Sequence, residues 1–277
     1  MIFASKLGIN IGLETINHPS ESGVLIVCLH GFTGCKEEWS FPFNNLESKY
    51  SYLLIDLPGF GDSDKPEDIR YYSPEFFDSL LNELLTKFGL SKNVLLGYSM
   101  GGRYCLNYAL QFQGFLSGLI LESTSAGIED NYQREQRVRT DEQLSMKVKA
   151  EGLESFLEFW SSQELFKSQK SLPEELQNWL HENKTRTSAD SILNSLSAFG
   201  QGVMPFLGNH IKSIKLPTLA ITGGLDAKYC SRMKSICEAI PQAEHHIIEN
   251  SGHNTHIEKP QEFAKLVNVF IKNFIEN

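Results

Sequence analysis

The chain has 277 residues, of which 41% are hydrophobic and 21% charged, and its formal net charge is −9. This length and composition are typical of one globular domain with an insertion. The negative charge argues against a nucleic-acid or anionic-membrane binder, whose surface would carry a basic patch. The five cysteines show no CxxC spacing, the first residues show no apolar run like that of a signal peptide, and no stretch reaches membrane-spanning length. We therefore expect a cytoplasmic protein with free thiols.

Short apolar runs predict strands at 24–31, 52–59, 93–97, 116–123, 216–224 and 243–251. Between the second and third runs, the spacing of apolar residues predicts a helix over 73–89, with Ser73 as its N-cap, Pro74 in its first turn and Gly89 as its stop. A closing helix is predicted from about Pro260 to Phe274. This alternation predicts an α/β fold with a mostly parallel central sheet flanked by helices.

The alternation stops between residues 124 and 205, where the sequence is polar, strand-poor and helix-like. Because this segment lies between two predicted sheet strands, we interpret it as a helical lid over the carboxyl edge of the sheet. The core then consists of residues 1–123 and 206–277.

A serine stands in the sequence Gly-Tyr-Ser-Met-Gly at residues 97–101, directly after the strand at 93–96. A Gly-X-Ser-X-Gly pattern by itself is a weak signal. Between a strand and a helix it predicts a nucleophile elbow, a tight turn that exposes the serine oxygen and leaves no room for large neighbours. We predict that Ser99 is the reactive serine.

The partners of such a serine follow in the order acid, then histidine, each after a later strand. Asp226 follows the apolar run at 219–222, and His253 follows the run at 246–248. Asp226 could instead be a turn or N-cap residue, and His253 a surface histidine. The order and the loops favour a Ser99–His253–Asp226 triad, with His256 as a packing or hydrogen-bonding neighbour.

An oxyanion hole needs two backbone N–H groups near the serine. One would come from Met100. The other would come from the glycine-containing loop after the first predicted strand, with Phe32 as its donor. The alternative for that loop is a plain turn with a packed phenylalanine.

Arg103 lies one helical turn beyond the serine, and the predicted lid contains Arg134, Arg137, Arg139 and Arg186. Two i,i+4 pairs with acidic residues suggest a solvated helix face for Arg134 and Arg139. A guanidinium beside the reactive serine is better suited to binding a carboxylate. Arg103 therefore predicts an anionic substrate.

Six segments together resemble one family on the α/β-hydrolase fold: LHGFTG with EEW, DLPGFGDS, GYSMGGR, LEST with the arginines and aspartate that follow it, GLDAKY, and SGHNTHIEKP. The family is that of the 2-succinyl-6-hydroxy-2,4-cyclohexadiene-1-carboxylate synthases of menaquinone and phylloquinone biosynthesis. The resemblance extends over nearly the whole chain.

The resemblance implies roles for particular residues. It places the triad on Ser99, Asp226 and His253, and it implies substrate-carboxylate contacts at Arg103 and Arg137 and at either Arg186 or Lys184. It implies a pocket lined by Tyr98, Trp160 and Phe166, although the last two could simply be lid core. The family has a Gly-x-Gly-x-Gln-Pro segment, and here Met204 stands in place of its glutamine.

The implied activity is that of a carbon–oxygen lyase. It eliminates pyruvate from 2-succinyl-5-enolpyruvyl-6-hydroxy-3-cyclohexene-1-carboxylate, with Ser99 as the proton abstractor and the oxyanion hole stabilising an enolate. No metal or organic cofactor is implied. The expected partner is a small polycarboxylate substrate, without nucleic acid or membrane, and the expected assembly is a monomer or a small homo-oligomer.

Two alternatives use the same residues differently. A carboxylesterase or carbon–carbon-bond hydrolase would use the serine as a nucleophile and would not need Arg103. A non-catalytic small-molecule receptor could retain an intact triad.

Overall fold

The computed structural model describes residues 1–276, and its centre is an eight-stranded sheet in the order β1-β2-β4-β3-β5-β6-β7-β8. The strands from β4 to β8 in this order pair in parallel, whereas β1 and β2 are antiparallel additions at one edge. The strands are β1 Ile2–Ala4, β2 Asn10–Ile16, β3 Val24–Leu29, β4 Ser51–Ile55, β5 Lys92–Tyr98, β6 Gly118–Glu122, β7 Thr218–Gly223 and β8 Ala243–Ile248.

The helices that follow the strands cover the sheet or form the lid. They are α1 Ser40–Phe43, α2 Pro74–Phe88, α3 Met100–Phe112, α4 Asn131–Ser162, α5 Glu174–Lys184, α6 Ala189–Phe199, α7 Ala227–Ala239, α8 Thr255–Glu258 and α9 Pro260–Phe270, and α9 continues as a π-helical turn over Ile271–Ile275. Short 3₁₀ helices occupy Lys36–Trp39, Ile69–Tyr72, Gln113–Phe115, Glu164–Ser171 and Ile211–Ser213.

The continuous apolar runs form the buried parallel strands. Every residue of β3, β4, β6 and β7 is buried. Along β3, alternate side chains enter two different hydrophobic clusters, one on each face of the sheet. A parallel sheet covered on both faces requires uninterrupted apolar strands rather than alternating ones. The predicted α/β fold is confirmed.

The sequence did not predict the strands β1 and β2. In β2 the exposed Asn10 and Glu14 interrupt an otherwise apolar pattern that includes Gly12. Gly12 leaves room for the Asp56 carboxylate, since a β-carbon there would lie 2.6 Å from Asp56 Oδ2. This antiparallel strand is therefore shaped by a local contact with the end of β4 rather than by a hydrophobic repeat.

Between β6 and β7, residues 124–205 form the helices α4, α5 and α6 and the 3₁₀ helix Glu164–Ser171. The first, α4, is interrupted at Gly152, which has φ of 82° and non-helical geometry. A side chain is disfavoured at that φ, so glycine permits the bend. These elements stand over the carboxyl ends of β5, β6 and β7, where crevices between strands and helices commonly hold ligands in α/β folds.

Among residues 1–276, no helix has both the length and the apolar composition that crossing a membrane requires.

Candidate active site

Ser99 lies at the sharp turn between β5 and α3. Its φ is 50° and its ψ −104°, a conformation that costs energy for a residue with a side chain. The turn is held by the Ser99 N–H, which donates to the Glu122 carbonyl at 2.8 Å, and by the Thr124 hydroxyl, which donates to the Ser99 carbonyl at 2.6 Å. The backbone thus presents the serine oxygen at the carboxyl edge of the sheet.

The two glycines of the serine motif are required by close backbone approach. A β-carbon at Gly97 would lie 2.6 Å from the Gly101 carbonyl group. One at Gly101 would overlap the Leu29 carbonyl oxygen on the neighbouring strand β3. Real β-carbons do not approach so closely, so the predicted elbow has a steric cause in this chain.

The structure brings Ser99, His253 and Asp226 into one hydrogen-bonded chain. His253 Nε2 lies 3.1 Å from Ser99 Oγ, and His253 Nδ1 lies 2.6 Å from Asp226 Oδ2. With a carboxylate accepting from Nδ1–H, the free lone pair of the imidazole is on Nε2 and faces the serine. The histidine can therefore accept the serine proton.

Asp226 also fills the alternative role considered for it. Its Oδ1 accepts a hydrogen bond of 3.1 Å from the Tyr229 N–H and caps the start of α7. Both carboxylate oxygens are thus engaged, one by the helix and one by His253. The cap orients the acid that in turn orients the base.

A second imidazole–carboxylate pair lies behind the triad. His256 Nδ1 is 2.7 Å from Glu122 Oε2, and both side chains are fully buried. The other Glu122 oxygen accepts from the Thr255 hydroxyl at 2.7 Å and from the His256 N–H at 3.0 Å. Glu122 therefore binds the first turn of α8, directly after His253.

The sequence reading expected His256 to pack or hydrogen-bond near the site but missed Glu122. A signal was present, since Glu122 is a charged residue that ends an apolar strand. A buried carboxylate needs a partner, and this position lies opposite Tyr98 in the β5–β6 register.

The predicted oxyanion donors come from two different segments beside the serine. Phe32 follows His30 and Gly31 at the end of β3, and Met100 is the first residue of α3. The first N–H groups of a helix have no intrahelical acceptor and remain available to a ligand. Both residues line the same cavity as Ser99.

That cavity has a volume of about 910 Å³ and lies between the sheet edge and the lid. It contains the predicted Ser99, Asp226, His253, Phe32, Met100, Tyr98, Arg103, Arg137, Trp160 and Phe166. It also contains residues that were not given a role from sequence, among them Gln163, Lys167, Ser168, Ser195, Gln201, Leu225 and Lys228.

Arg103 is a buried cation at the base of this cavity, 7% exposed. Its Nη1 donates to the Phe199 carbonyl and also contacts Met204 Sδ at 3.6 Å. Burial, and secondarily the neighbouring Arg137, lower the pKa of Arg103 to about 10. The guanidinium is still charged at neutral pH. The departure at Met204 therefore places a weak thioether acceptor directly on the predicted carboxylate anchor.

Arg137 approaches the cavity from α4. Its Nε donates to Asp141 Oδ1 at 2.8 Å, so the i,i+4 pair and the cavity position occur together. Burial raises the pKa of Asp141, and Arg137 opposes this rise. Arg134 and Arg139 line a separate groove on the other side of the helix, in agreement with their interpretation as a solvated face.

The three aromatic residues assigned to the pocket form contacts around the triad. The Tyr98 ring centre lies 5.3 Å from that of His253, and Phe166 lies 6.2 Å from it on the lid side. Trp160 packs against Phe32 at 5.3 Å and Phe166 at 5.7 Å. Trp160 and Phe166 are therefore both lid core and cavity lining.

Arg186 does not line the cavity. Its guanidinium pairs with Glu37 Oε2 at 2.9 Å and with Asp62 Oδ1. Lys36 Nζ lies between the same acidic residues and Asp56, 2.8 Å from Asp56 Oδ2. Arg186 is drawn to these carboxylates because they carry more negative charge than Lys36 neutralises, and it links the lid to the core instead of facing Ser99.

The alternative residue, Lys184, is also absent from the cavity lining. It is buried behind Phe166, with Nζ 3.1 Å from Ser161 Oγ and 5.1 Å from the Phe166 ring centre. Burial lowers the pKa of Lys184, and the charge of Glu38 opposes this. Burial likewise raises the pKa of Glu38 to about 7, with His256 and Lys184 opposing the rise.

Known proteins resemble this chain in sequence and in fold. The model of the α/β hydrolase fold family matches residues 24–260. A Bacillus subtilis (strain 168) protein provisionally named 2-succinyl-6-hydroxy-2,4-cyclohexadiene-1-carboxylate synthase is 33% identical, over 89% of each chain. The Photorhabdus laumondii protein with this synthase name is 32% identical, over 90% of this chain and 86% of its own. The structure of MenH from S. aureus has a TM-score of 0.89 and 31% identity, covering 94% of this chain and 97% of that one.

Proposed function

This chain belongs to the α/β hydrolase fold family and, within it, to the 2-succinyl-6-hydroxy-2,4-cyclohexadiene-1-carboxylate synthases, and we propose that it eliminates pyruvate through Ser99. The substrate would be 2-succinyl-5-enolpyruvyl-6-hydroxy-3-cyclohexene-1-carboxylate, which carries three carboxylates. The observation that carries the proposal is that one cavity contains both the Ser99–His253–Asp226 chain and the buried cation Arg103.

Proton abstraction starts at Ser99. His253 Nε2, 3.1 Å from the serine oxygen, accepts the hydroxyl proton as the oxygen takes the ring proton next to the succinyl ketone. Asp226 stabilises the imidazolium that forms. The electrons of the broken C–H bond move through the ring alkene and break the C–O bond to the enolpyruvyl group. The His253 imidazolium then returns its proton to the departing oxygen, so pyruvate leaves as its enol form and the base is again neutral.

Charge develops on the ketone oxygen during this step. The N–H groups of Phe32 and Met100 are fixed by the backbone before substrate enters, so they need no reorganisation in the transition state. Donors placed in this way typically contribute roughly 3 kcal/mol each to lowering the barrier. Arg103 and Arg137 bind the carboxylates and hold the ring proton against the serine.

The same triad geometry also suits a nucleophile. In an esterase on this fold, Ser99 would form a bond to the acyl carbon, whereas in the elimination the serine oxygen bonds only to a proton. The buried Arg103 favours the elimination, because a neutral ester has no use for a desolvated guanidinium in its pocket.

The test is to supply the enolpyruvyl substrate and measure pyruvate release together with the mass of the protein. We expect pyruvate from the wild-type protein, a loss of roughly a thousandfold or more in Ser99→Ala, and no covalent adduct during turnover. An acyl-Ser99 adduct with this substrate would refute proton abstraction. Absence of pyruvate, with rapid turnover of aryl esters, would support the hydrolase instead.

A further inference from the structure

Four cationic side chains with different interaction partners line the active-site cavity: Arg103, Arg137, Lys167 and Lys228. Arg137 is paired with Asp141 at 2.8 Å, and Lys167 with Glu164 at 3.0 Å. Arg103 donates to a backbone carbonyl and contacts a thioether. The fourth is Lys228, for which residues 1–276 offer no acidic partner; its ammonium has only the ring of Tyr229, 6.0 Å away.

Lys228 is fixed close to the triad by its position in the chain. It is the second residue of α7, two residues after Asp226, and the next residue, Tyr229, has its ring centre 4.4 Å from that of His253. Lys228 itself is exposed at the rim. A flexible four-carbon stem attached there can move its ammonium across the cavity opening.

Asp226 does not neutralise Lys228, although it is near in sequence. One oxygen of Asp226 accepts from the Tyr229 N–H and the other binds His253 Nδ1. Asp226 caps the positive end of α7, so its charge is shared between that helix end and His253. The rim beside the triad therefore has an ammonium that no acidic side chain of residues 1–276 pairs with.

The proposed substrate has three carboxylates, and the cavity has two arginines to receive them. Arg186, the third cation indicated from sequence, is held by Glu37 and Asp62 outside the cavity. We propose that Lys228 is the third carboxylate-binding residue of this site, acting at the rim while Arg103 and Arg137 act deeper. This proposal rests on the proposed function for the identity of its ligand.

The alternative at the rim is Lys167, which the same argument disfavours. Its ammonium already has a carboxylate partner, Glu164, and both side chains are highly exposed, 69% and 84%. It also lies on the 3₁₀ helix of the lid rather than on a helix that carries a triad residue.

The experiment measures pyruvate release by Lys228→Met, Lys228→Arg and Lys228→Glu proteins. An exposed charge pair is worth up to about fivefold in binding, so we expect KM to rise about three- to fivefold in Lys228→Met, with kcat within about twofold of wild type. Lys228→Glu should raise KM more than tenfold, since repulsion replaces attraction. Lys228→Arg should restore wild-type KM to within about twofold.

Lys234→Met is the matched control, because Lys234 lies on the same helix, is exposed and pairs with Glu238 outside the cavity. A KM for Lys228→Met equal to that of Lys234→Met would overturn the proposal. A rise in KM in Lys167→Met but not in Lys228→Met would overturn it as well.

Binding of benzene-1,2,4-tricarboxylate by calorimetry separates this proposal from the proposed function. If the wild-type protein releases no pyruvate, the proposed function fails. Weaker binding of this probe by Lys228→Met would still support the carboxylate site, and equal binding would refute it.

Discussion

The two walls of the active-site cavity are held in different ways. On the core wall, Ser99 and His253 stand at the end of a strand or in a loop, with Glu122 behind them, and short directional hydrogen bonds join these residues to neighbouring groups. On the lid wall, Trp160 and Phe166 are held by ring contacts at 5.3 to 6.2 Å. Hydrogen bonds fix an atom's position more tightly than ring contacts do.

This difference separates two tasks. Proton transfer requires the reacting atoms to be placed within a few tenths of an ångström, so it is built on the sheet. Enclosing the ring of a substrate requires shape and charge but tolerates small shifts, so aromatic side chains and flexible cations are sufficient. We expect substitutions of the hydrogen-bonded groups behind and beside Ser99 to act mainly on kcat, and substitutions of the aromatic and cationic side chains that enclose the substrate to act mainly on KM.

Several polar contacts connect the lid to the core, and two of them involve core carboxylates close to the cavity. Arg186 of the lid pairs with Glu37 and Asp62 of the core. Glu258 accepts from the Gly252 N–H at 2.6 Å, directly before His253, and from the Ser168 hydroxyl of the lid at 3.0 Å. The second link joins the loop of His253, the proposed base, to the lid, so the position of the lid is coupled to that of His253.

Among substitutions outside the Ser99–His253–Asp226 chain, the largest effect is expected from Glu122→Gln, which tests the core wall. The amide retains the size of the carboxylate but loses the charge facing His256 and one of its acceptor oxygens. We expect kcat for pyruvate release to fall by up to about a hundredfold, because the loop that positions His253 shifts, with little change in KM. Steady-state kinetics of the purified variant measures both.

Asp78→Asn is the matched control for this substitution. Asp78 is another buried carboxyl, bound by Asn107 and Gln111 on the far side of α3, and burial raises its pKa to about 7. This variant should keep the kcat of the wild-type protein. If both variants lower kcat equally, the Glu122–His256 pair serves folding alone and the contrast between the two walls is wrong.

The fold and the triad were predictable because each rests on local pattern. Buried parallel strands must be apolar, and the elbow requires Gly97 and Gly101 for steric reasons that appear directly as a motif. The six parallel strands, the helix starting at Ser73 and the proximity of Ser99, Asp226 and His253 all follow from such patterns.

Contacts between distant segments were not predictable in the same way. Arg186 was assigned to the cavity because it is an arginine in the lid, but its direction depends on Glu37 and Asp62, which are more than a hundred residues away in the chain. Glu122 was overlooked because its partner His256 is equally distant. The sequence gives the charge of each side chain. Which other charges surround that side chain is known only from the folded structure.

A smaller effect is expected at the boundary between the walls, where Glu38 of the core faces buried Lys184 of the lid. Burial raises the pKa of Glu38 from 4.5 to about 7, and its Oε2 has no hydrogen-bond partner among the described residues. The folded protein thus keeps a proton that the unfolded chain has released between pH 4.5 and 7. The free energy of unfolding should fall as the pH rises through this window, by about 3 kcal/mol.

Glu38→Gln should remove this fall, since the amide does not titrate. Chemical denaturation at pH 5 and pH 8 should show the variant gaining stability relative to wild type at the higher pH. Glu249→Gln, a change of an exposed glutamate, serves as the control. A stability difference between Glu38→Gln and wild type that is the same at both pH values would show that this carboxyl does not titrate in the window.

The smallest effect is expected at Met204, where the chain departs from its family on the contact with Arg103. The thioether at 3.6 Å is a weak acceptor for Nη1, so a carboxamide oxygen in Met204→Gln would hold the guanidinium more firmly. We expect KM to fall about two- to threefold with kcat unchanged. The buried amide N–H₂ would lack an acceptor and lower the melting temperature.

Met204→Leu separates the acceptor from the volume of the side chain. It fills the same buried space, 1% exposed, without any acceptor atom, and KM should change by less than about twofold. If Met204→Gln raises KM above that of Met204→Leu, the carboxamide competes with the substrate carboxylate for Arg103. The neutral thioether of Met204 would then be the reason that the Arg103 guanidinium is free to bind a substrate carboxylate. For KM, a guanidinium without a competing acceptor would matter more than one held in a fixed orientation.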